Sequence, residues 1–138
     1  RVLALTIGHV LERRQFGREL VKFQAIQHEL ARLAEETAAA GAAADMAAEA
    51  ILSGGEATLP VAAARIRSGE AVGTATSIAH QLHGAIGFTQ EHRLHWYTTS
   101  LWSWRDDYGG QHHWSQLLGG AAIEAGGAGF WTFVTETA

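Results

Sequence analysis

Ala79-His-Gln-Leu-His-Gly-Ala-Ile-Gly-Phe-Thr-Gln-Glu-His92 decides the fold. Its first half closes an apolar helical pattern, Gly84 and Gly87 interrupt that pattern, and polar residues suited to a new helix start follow. Glycine takes backbone conformations closed to other residues and lets a ligand approach the chain closely. Free N–H groups at the start of a following helix favour a phosphate or another anion. A plainer reading stands beside this one: a glycine-terminated helix followed by a helix that Thr89 caps. Spacing alone does not separate the two, because a short glycine motif is a weak signal.

Upstream of this stretch, the segment from about Leu59 to Leu82 reads as one helix, with Val61, Ala64, Ile66, Val72, Ile78 and Leu82 mostly inward. The clearest loop precedes it, Ser53-Gly-Gly-Glu-Ala-Thr58, where Gly54 and Gly55 end a helix while Thr58 and Pro60 cap and begin the next. Before that loop a long pattern runs from about Leu20 to Leu52, with Phe23, Ile26, Leu30, Leu33, Thr37 and Ala40 on one face. Its alanine-rich middle favours helix by propensity. Two long helices joined so tightly are expected to be antiparallel neighbours. The chain opens with a further apolar stripe, Leu3, Ile7, Val10 and Leu11 within Val2 to Arg14, which Gln15-Phe16-Gly17 breaks.

Downstream, a fourth helix is expected from Gln90 to about Arg105, rich in tryptophan and tyrosine. Gln111 to Leu118 reads as a fifth helix. The glycine-rich tail, residues 119–138, leaves its order open, although Phe130, Trp131, Phe133 and Val134 need a surface to cover. Nothing alternates with period two for long enough to make a sheet. The expected fold is therefore all-α, an antiparallel helical bundle of four principal helices plus the fifth, in a single domain over residues 1–138.

A chain of 138 residues is long enough to bury a core, at roughly 68% of its extended surface. The net charge of -4, with lysines and arginines scattered singly, provides no basic patch of the kind nucleic acid requires. Absence of cysteine excludes disulfides and thiolate metal sites and fits a reducing cytoplasm. No apolar run approaches the roughly 20 residues of a membrane span. Because the sequence starts at Arg1 already in a helical pattern, it is expected to be a C-terminal piece of something longer.

Three segments together carry a family resemblance. Leu11-Glu-Arg-Arg-Gln-Phe-Gly17 is followed by Phe23-Gln-Ala-Ile-Gln-His-Glu-Leu30 and later by Gln81 to Phe88. They resemble, in order, the Arg-x-x-Phe-Gly turn, the Phe-Gln-x-(Ile/Val)-Gln helix start and the Gln-x-x-Gly-Gly-x-Gly-(Phe/Tyr) segment of the acyl-CoA dehydrogenases. The likeness covers roughly residues 1 to 110 and is to the C-terminal helical domain of that family. It implies a flavoprotein that introduces an α,β-double bond into acyl-CoA thioesters, with FAD as cofactor. It also implies homo- or hetero-oligomeric association with related subunits. By the resemblance, Arg13 meets the pyrophosphate of an FAD held by a neighbouring subunit, Phe16 lies against the cofactor, and Gln24 and Gln81 give amide contacts. Gly84 and Gly87 would let it approach, and Ala85 stands where the family often has glycine. A guanidinium suits this role because it can give a phosphate two parallel hydrogen bonds.

One expected group is missing. The family's catalytic glutamate, which precedes a glycine after the fourth helix, falls on Tyr108, followed by Gly109. A free phenol, with an ordinary pKa of about 10, is a poor general base at neutral pH. Asp106 and Asp107 lie nearby, Asp107 being the weak alternative. A helical residue one position away points about 100° off, and an acidic pair at a helix end is commonly just solvated. Thr99 and Ser100 stand where many members have Arg-Asp. The pairs His80/His83, His92/His95 and His112/His113 could offer nitrogen ligands, and i,i+3 spacing puts each of the first two on one helix face. The Glu-x-x-His repeat of di-metal bundles is absent, however, so no metal is expected. Alone, this domain is expected to be inactive. The rival reading is a non-catalytic helical interaction domain that has lost the cofactor, which Arg13, Phe16, Gln24 and Gln81 together oppose and Tyr108 partly favours.

Overall fold

The computed structural model describes residues 1–136. Among them the fold is all-α, with helices α1 (Val2–Glu12), α2 (Gln24–Leu52), α3 (Thr58–His83), α4 (Leu94–Asp106) and α5 (Gln111–Glu136). The chain divides into two compact units, residues 1–38 with 71–104 and residues 39–70 with 105–138.

The first unit holds the larger apolar core. Val10 of α1, Leu33 of α2, and Ile78 and Leu82 of α3 form its buried centre, with Leu3, Ile26 and Leu30 packed against them. These are the stripe positions that helical spacing selects, and fully burying a leucine such as Leu33 contributes about 1.5–3 kcal/mol. A second cluster joins Val2 of α1 and Ala79 of α3 to Leu94 of α4. The buried hydroxyl of Thr6 donates to the Val2 carbonyl at 3.0 Å, and that of Thr76 to the Val72 carbonyl at 2.7 Å. Neither polar group is therefore left unsatisfied in the core.

In the second unit the buried hydrophobic residues include Ala47, Ala62 and Ala64. Small side chains let helix backbones come close, which is what the alanine-rich middle of α2 implies. The glycine-rich tail is helical to Glu136 but interrupted at Gly126, whose φ of 66° and ψ of 170° lie outside the helix. Leu118 from before the break and Phe133 and Val134 from after it line one cavity of about 230 Å³ with Met46 and Pro60.

Several boundaries differ from the expectation. Helix α1 stops at Glu12, and the chain then makes a two-residue antiparallel ladder, Arg14 opposite Glu19 and Gln15 opposite Arg18. Phe16 (φ 51°) and Gly17 (φ 80°) form its left-handed turn. A pairing this short leaves no period-two trace in sequence. The Thr58 amide donates to Glu56 Oε1 at 2.8 Å, so Glu56 rather than Thr58 caps α3. Thr89 does not cap α4 either: its hydroxyl turns back to the Ile86 carbonyl at 3.0 Å. Helix α4 starts at Leu94, not Gln90, and the Leu94 amide donates to His92 Nδ1 at 3.2 Å. One expectation on membranes also needs correction, because residues 111–135 are long and apolar enough, at a mean hydropathy of 1.2, to cross a bilayer by length and composition. Alanine raises hydropathy without forming an obvious run of large side chains. The break at Gly126 limits the preceding arm, residues 111–125, to roughly 22 Å, short of a hydrocarbon core of about 30 Å.

Candidate functional site

The first unit contains an open cavity of about 470 Å³, built where the end of α1 meets the end of α3. Arg13, Gln81, Gly84 and Ala85 line it, together with His9 and His83. Arg13 is the extended residue that terminates α1, its N–H donating to the His9 carbonyl at 2.8 Å, and its side chain is exposed. Gln81, on the last turn of α3, is exposed too. A cation and an amide on one open hollow can bind an anionic, hydrogen-bonding ligand.

The two glycines that opened the sequence reading act differently. Gly84 has φ +64°, and a Cβ built on it would meet nothing within 4 Å, so its need is conformational and its outer side is open. Gly87 is buried, and a Cβ there would stand 2.9 Å from His83 Cβ, 3.1 Å from Leu94 Cδ2 and 3.3 Å from His80 Nδ1. Gly87 thus serves packing inside the unit and does not line the cavity. Residues 84–88 form a 3-10 turn leading off the C-terminal end of α3. The positive charge beside the hollow therefore comes from Arg13, not from the helix start that the sequence suggested.

Phe16 and Gln24 lie outside the cavity lining. Phe16 is 91% exposed on its turn, edge-on to Phe23 with ring centroids 6.3 Å apart, and Gln24 is exposed at the first position of α2. An exposed phenylalanine in a left-handed turn costs stability unless another surface covers it.

The segment expected to carry the base belongs to the second unit. Tyr108 is 93% exposed with φ 56°, and Asp106 and Asp107 are exposed as well. Asp106 pairs with Arg105 at 3.5 Å. Arg65 Nη2 donates to the carbonyls of Arg105, Asp107 and Gly109 at 3.2, 2.5 and 3.3 Å, fixing the turn after α4. Sequence reasoning passed over Arg65, which sits inside a helical run with no motif around it.

The histidines group differently from their sequence pairs. His80 is a core residue: Nε2 hydrogen-bonds Thr98 Oγ1 at 2.9 Å, and the ring stacks on Phe88 at 4.2 Å and Trp102 at 5.8 Å. Burial, then the charge of His95, lowers its pKa. His95 Nδ1 bonds the His92 carbonyl at 2.7 Å, and His112 and His113 are exposed. His83 instead meets His9 of α1 and His92 of the 89–93 turn, and one ring nitrogen from each lies within 4.8 Å of the others. Burial pushes the His83 pKa down to about 4, and burial followed by His92 and Arg13 lowers that of His9. Sequence reasoning missed His9. Its one signal is the i,i+4 spacing to Arg13, which places both on one face of α1.

Comparison with known proteins identifies the family and the helical fold. The family model described as Acyl-CoA dehydrogenase, C-terminal domain, matches residues 1–102. An acyl-CoA dehydrogenase from Mycobacterium tuberculosis, IpdE2, is 40% identical over 97 residues, which cover 70% of this chain and 29% of that protein. The chain spans between 21% and 30% of the length of the curated relatives it matches. Butyryl-CoA dehydrogenase from Megasphaera elsdenii superposes with a TM-score of 0.84 at 25% identity, covering 88% of this chain and 32% of that one. A chain of the ChsE4-ChsE5 complex from Mycobacterium tuberculosis gives a TM-score of 0.83 at 24% identity, covering 89% and 34%.

Proposed function

The chain belongs to the acyl-CoA dehydrogenase family, as its C-terminal domain, and from that premise we propose that it completes an FAD site in a longer flavoprotein that dehydrogenates acyl-CoA thioesters. The observation that carries this reading is the cavity that gathers Arg13, Gln81 and Gly84 from two helix ends. These residues fit the cofactor by their chemistry: a guanidinium for its phosphates, an amide for its polar groups, and an open left-handed glycine that leaves room beside the backbone. FAD, when bound, accepts the hydride that leaves the β-carbon of the acyl group. This chain's part is to bind and orient. The exposure of Arg13, Phe16, Gln24 and Gln81 supports a ligand held mainly by an adjacent subunit. The same reading assigns the protein to fatty acid metabolism in the cytoplasm.

The proton from the α-carbon needs a separate acceptor, and exposed Tyr108 at the family's glutamate position favours an arrangement in which the base comes from elsewhere. We read the chain as part of a mixed assembly, in which a related partner supplies the glutamate and this subunit completes the partner's FAD site. Full-length protein that oxidises acyl-CoA by itself would refute that arrangement. Asp107→Asn then decides the source: a fall of several orders of magnitude in turnover identifies Asp107, and little change identifies an upstream residue.

Arg13→Ala in the full-length protein tests the cofactor reading. Loss of a charge-assisted contact to phosphate, about 1.5–3 kcal/mol, lowers FAD affinity on the order of tenfold or more. Flavin released per polypeptide should fall while the melting temperature of the apoprotein stays near the parent's. Unchanged flavin occupancy removes Arg13 from the site.

A further inference from the structure

His9 and His83 line the cavity assigned to the cofactor, and with His92 they form a cluster whose nitrogen donors the cofactor reading leaves unused. Each histidine comes from a different element: the last turn of α1, the last residue of α3 and the turn before α4. Their rings crowd together: His9 stacks on His83 with centroids 4.4 Å and planes 23° apart, His92 tilts against His83 at 4.7 Å, and His9 and His92 meet edge-on at 6.2 Å. His83 is 5% exposed, and its Nδ1 lies 2.8 Å from the Ala79 carbonyl. That bond puts the proton on Nδ1 and leaves the Nε2 lone pair free. Nε2 is buried and, among the described residues, has no hydrogen-bond partner. A backbone carbonyl that fixes the tautomer of a buried imidazole is the outer-sphere support a metal-bound histidine ordinarily has.

Helices α1 and α3 both direct their C-terminal ends, where the helix dipole is negative, toward the cluster. Arg13 opposes this, as its effect on His9 shows, but its side chain is exposed and its charge is screened by solvent. Three imidazoles without thiolate suit a borderline ion such as Zn²⁺, Cu²⁺ or Co²⁺ and disfavour Mg²⁺ or Ca²⁺, which take oxygen ligands. Zn–N bonds of about 2.0–2.1 Å in a tetrahedral site put ligand nitrogens roughly 3.4 Å apart. From nitrogens within 4.8 Å of one another, the rings need to draw in by about 1 Å. His9 and His92 are each partly exposed, and ligation requires His9 to turn out of its stack on His83, which the Ala79 carbonyl anchors. Ligation through His92 Nε2 moves its proton to Nδ1 and gives up the 3.2 Å contact from the Leu94 amide. His9 and His83 also line the open cavity, which provides an entry path.

We infer that His9, His83 and His92 form a three-histidine binding site for a zinc-class divalent ion. Titration of the metal-stripped full chain with ZnCl₂ by calorimetry should show one saturable site, and Co²⁺ should develop the visible absorption of a four- or five-coordinate nitrogen site. Because His83 is buried and its replacement could disturb folding, the decisive variants are His9→Gln and His92→Gln. Each removes a ligand and should weaken Zn²⁺ binding by about 100-fold or more, beyond the usual loss for an outer-sphere partner. His28→Gln and His112→Gln, both at exposed positions, should leave affinity unchanged. Absence of a saturable site overturns the inference. So does affinity that survives both His9→Gln and His92→Gln, or that falls with His28 or His112 instead.

Discussion

Replacing Gly87 with alanine tests the packing account of the decisive stretch, and replacing Gly84 provides its contrast. An alanine Cβ at position 87 would sit 2.9 Å from His83 Cβ and 3.1 Å from Leu94 Cδ2. Both neighbours are buried, Leu94 completely, so neither can swing away as a surface side chain would. Overpacking of this kind costs about 1–3 kcal/mol. Removing glycine stiffens the unfolded chain and returns about 0.4–1 kcal/mol, so the midpoints of the two ranges leave a net loss of about 1.3 kcal/mol. At position 84 nothing blocks the methyl group, but φ of +64° costs an alanine roughly 1–2 kcal/mol. Asparagine tolerates that conformation, so Gly84→Asn should recover part of the loss, whereas Gly87→Asn should be worse than Gly87→Ala. Urea unfolding followed by circular dichroism resolves these differences. The packing account is refuted if Gly87→Ala unfolds within about 0.5 kcal/mol of the parent, the range of a neutral surface change.

Three further outcomes follow from other parts of the molecule. His83 is buried neutral, with a folded pKa of about 4 against an ordinary 6.5. Between those values the unfolded chain binds the extra proton, so stability is full above about pH 6.5 and falls as the pH drops toward 4, by up to about 3 kcal/mol; His83→Gln should flatten that slope in pH-dependent unfolding. Arg65→Met removes the hydrogen bonds to three carbonyls around Tyr108 and should cost about 1.5–3 kcal/mol, read by urea unfolding, with faster amide exchange confined to residues 105–109. The exposed Ile123, Trp131 and Val134 of α5 predict self-association, so sedimentation should find the chain larger than a monomer at tens of micromolar and Trp131→Glu should shift it toward monomer.

Much of the fold was legible because helical spacing selects what becomes buried. Val10, Leu33, Ile78 and Leu82 lie on the predicted stripes and meet in one cluster. The boundaries were less legible where a polar side chain had two backbone partners within reach. The hydroxyl of Thr89 bonds backward to Ile86, and the cap of α4 falls to His92, a residue outside the usual capping set. Glycine in sequence did not reveal whether it answers to backbone angle or to crowding, and Gly84 and Gly87 divide on that point. Of the site, Arg13, Gln81 and Gly84 were legible through their motifs and do share a cavity. The grouping of His9 with His83 and His92 was not, because it depends on where three elements end and not on any local spacing.

The most direct measurement is a structure of the longer flavoprotein with its cofactor bound. The account predicts FAD in the cavity between the ends of α1 and α3, with its pyrophosphate oxygens within hydrogen-bonding distance of the Arg13 guanidinium, roughly 2.7–3.2 Å, and a second subunit holding the rest of the molecule. FAD bound elsewhere, or a cavity filled by the protein's own side chains with Arg13 turned to solvent, would contradict it.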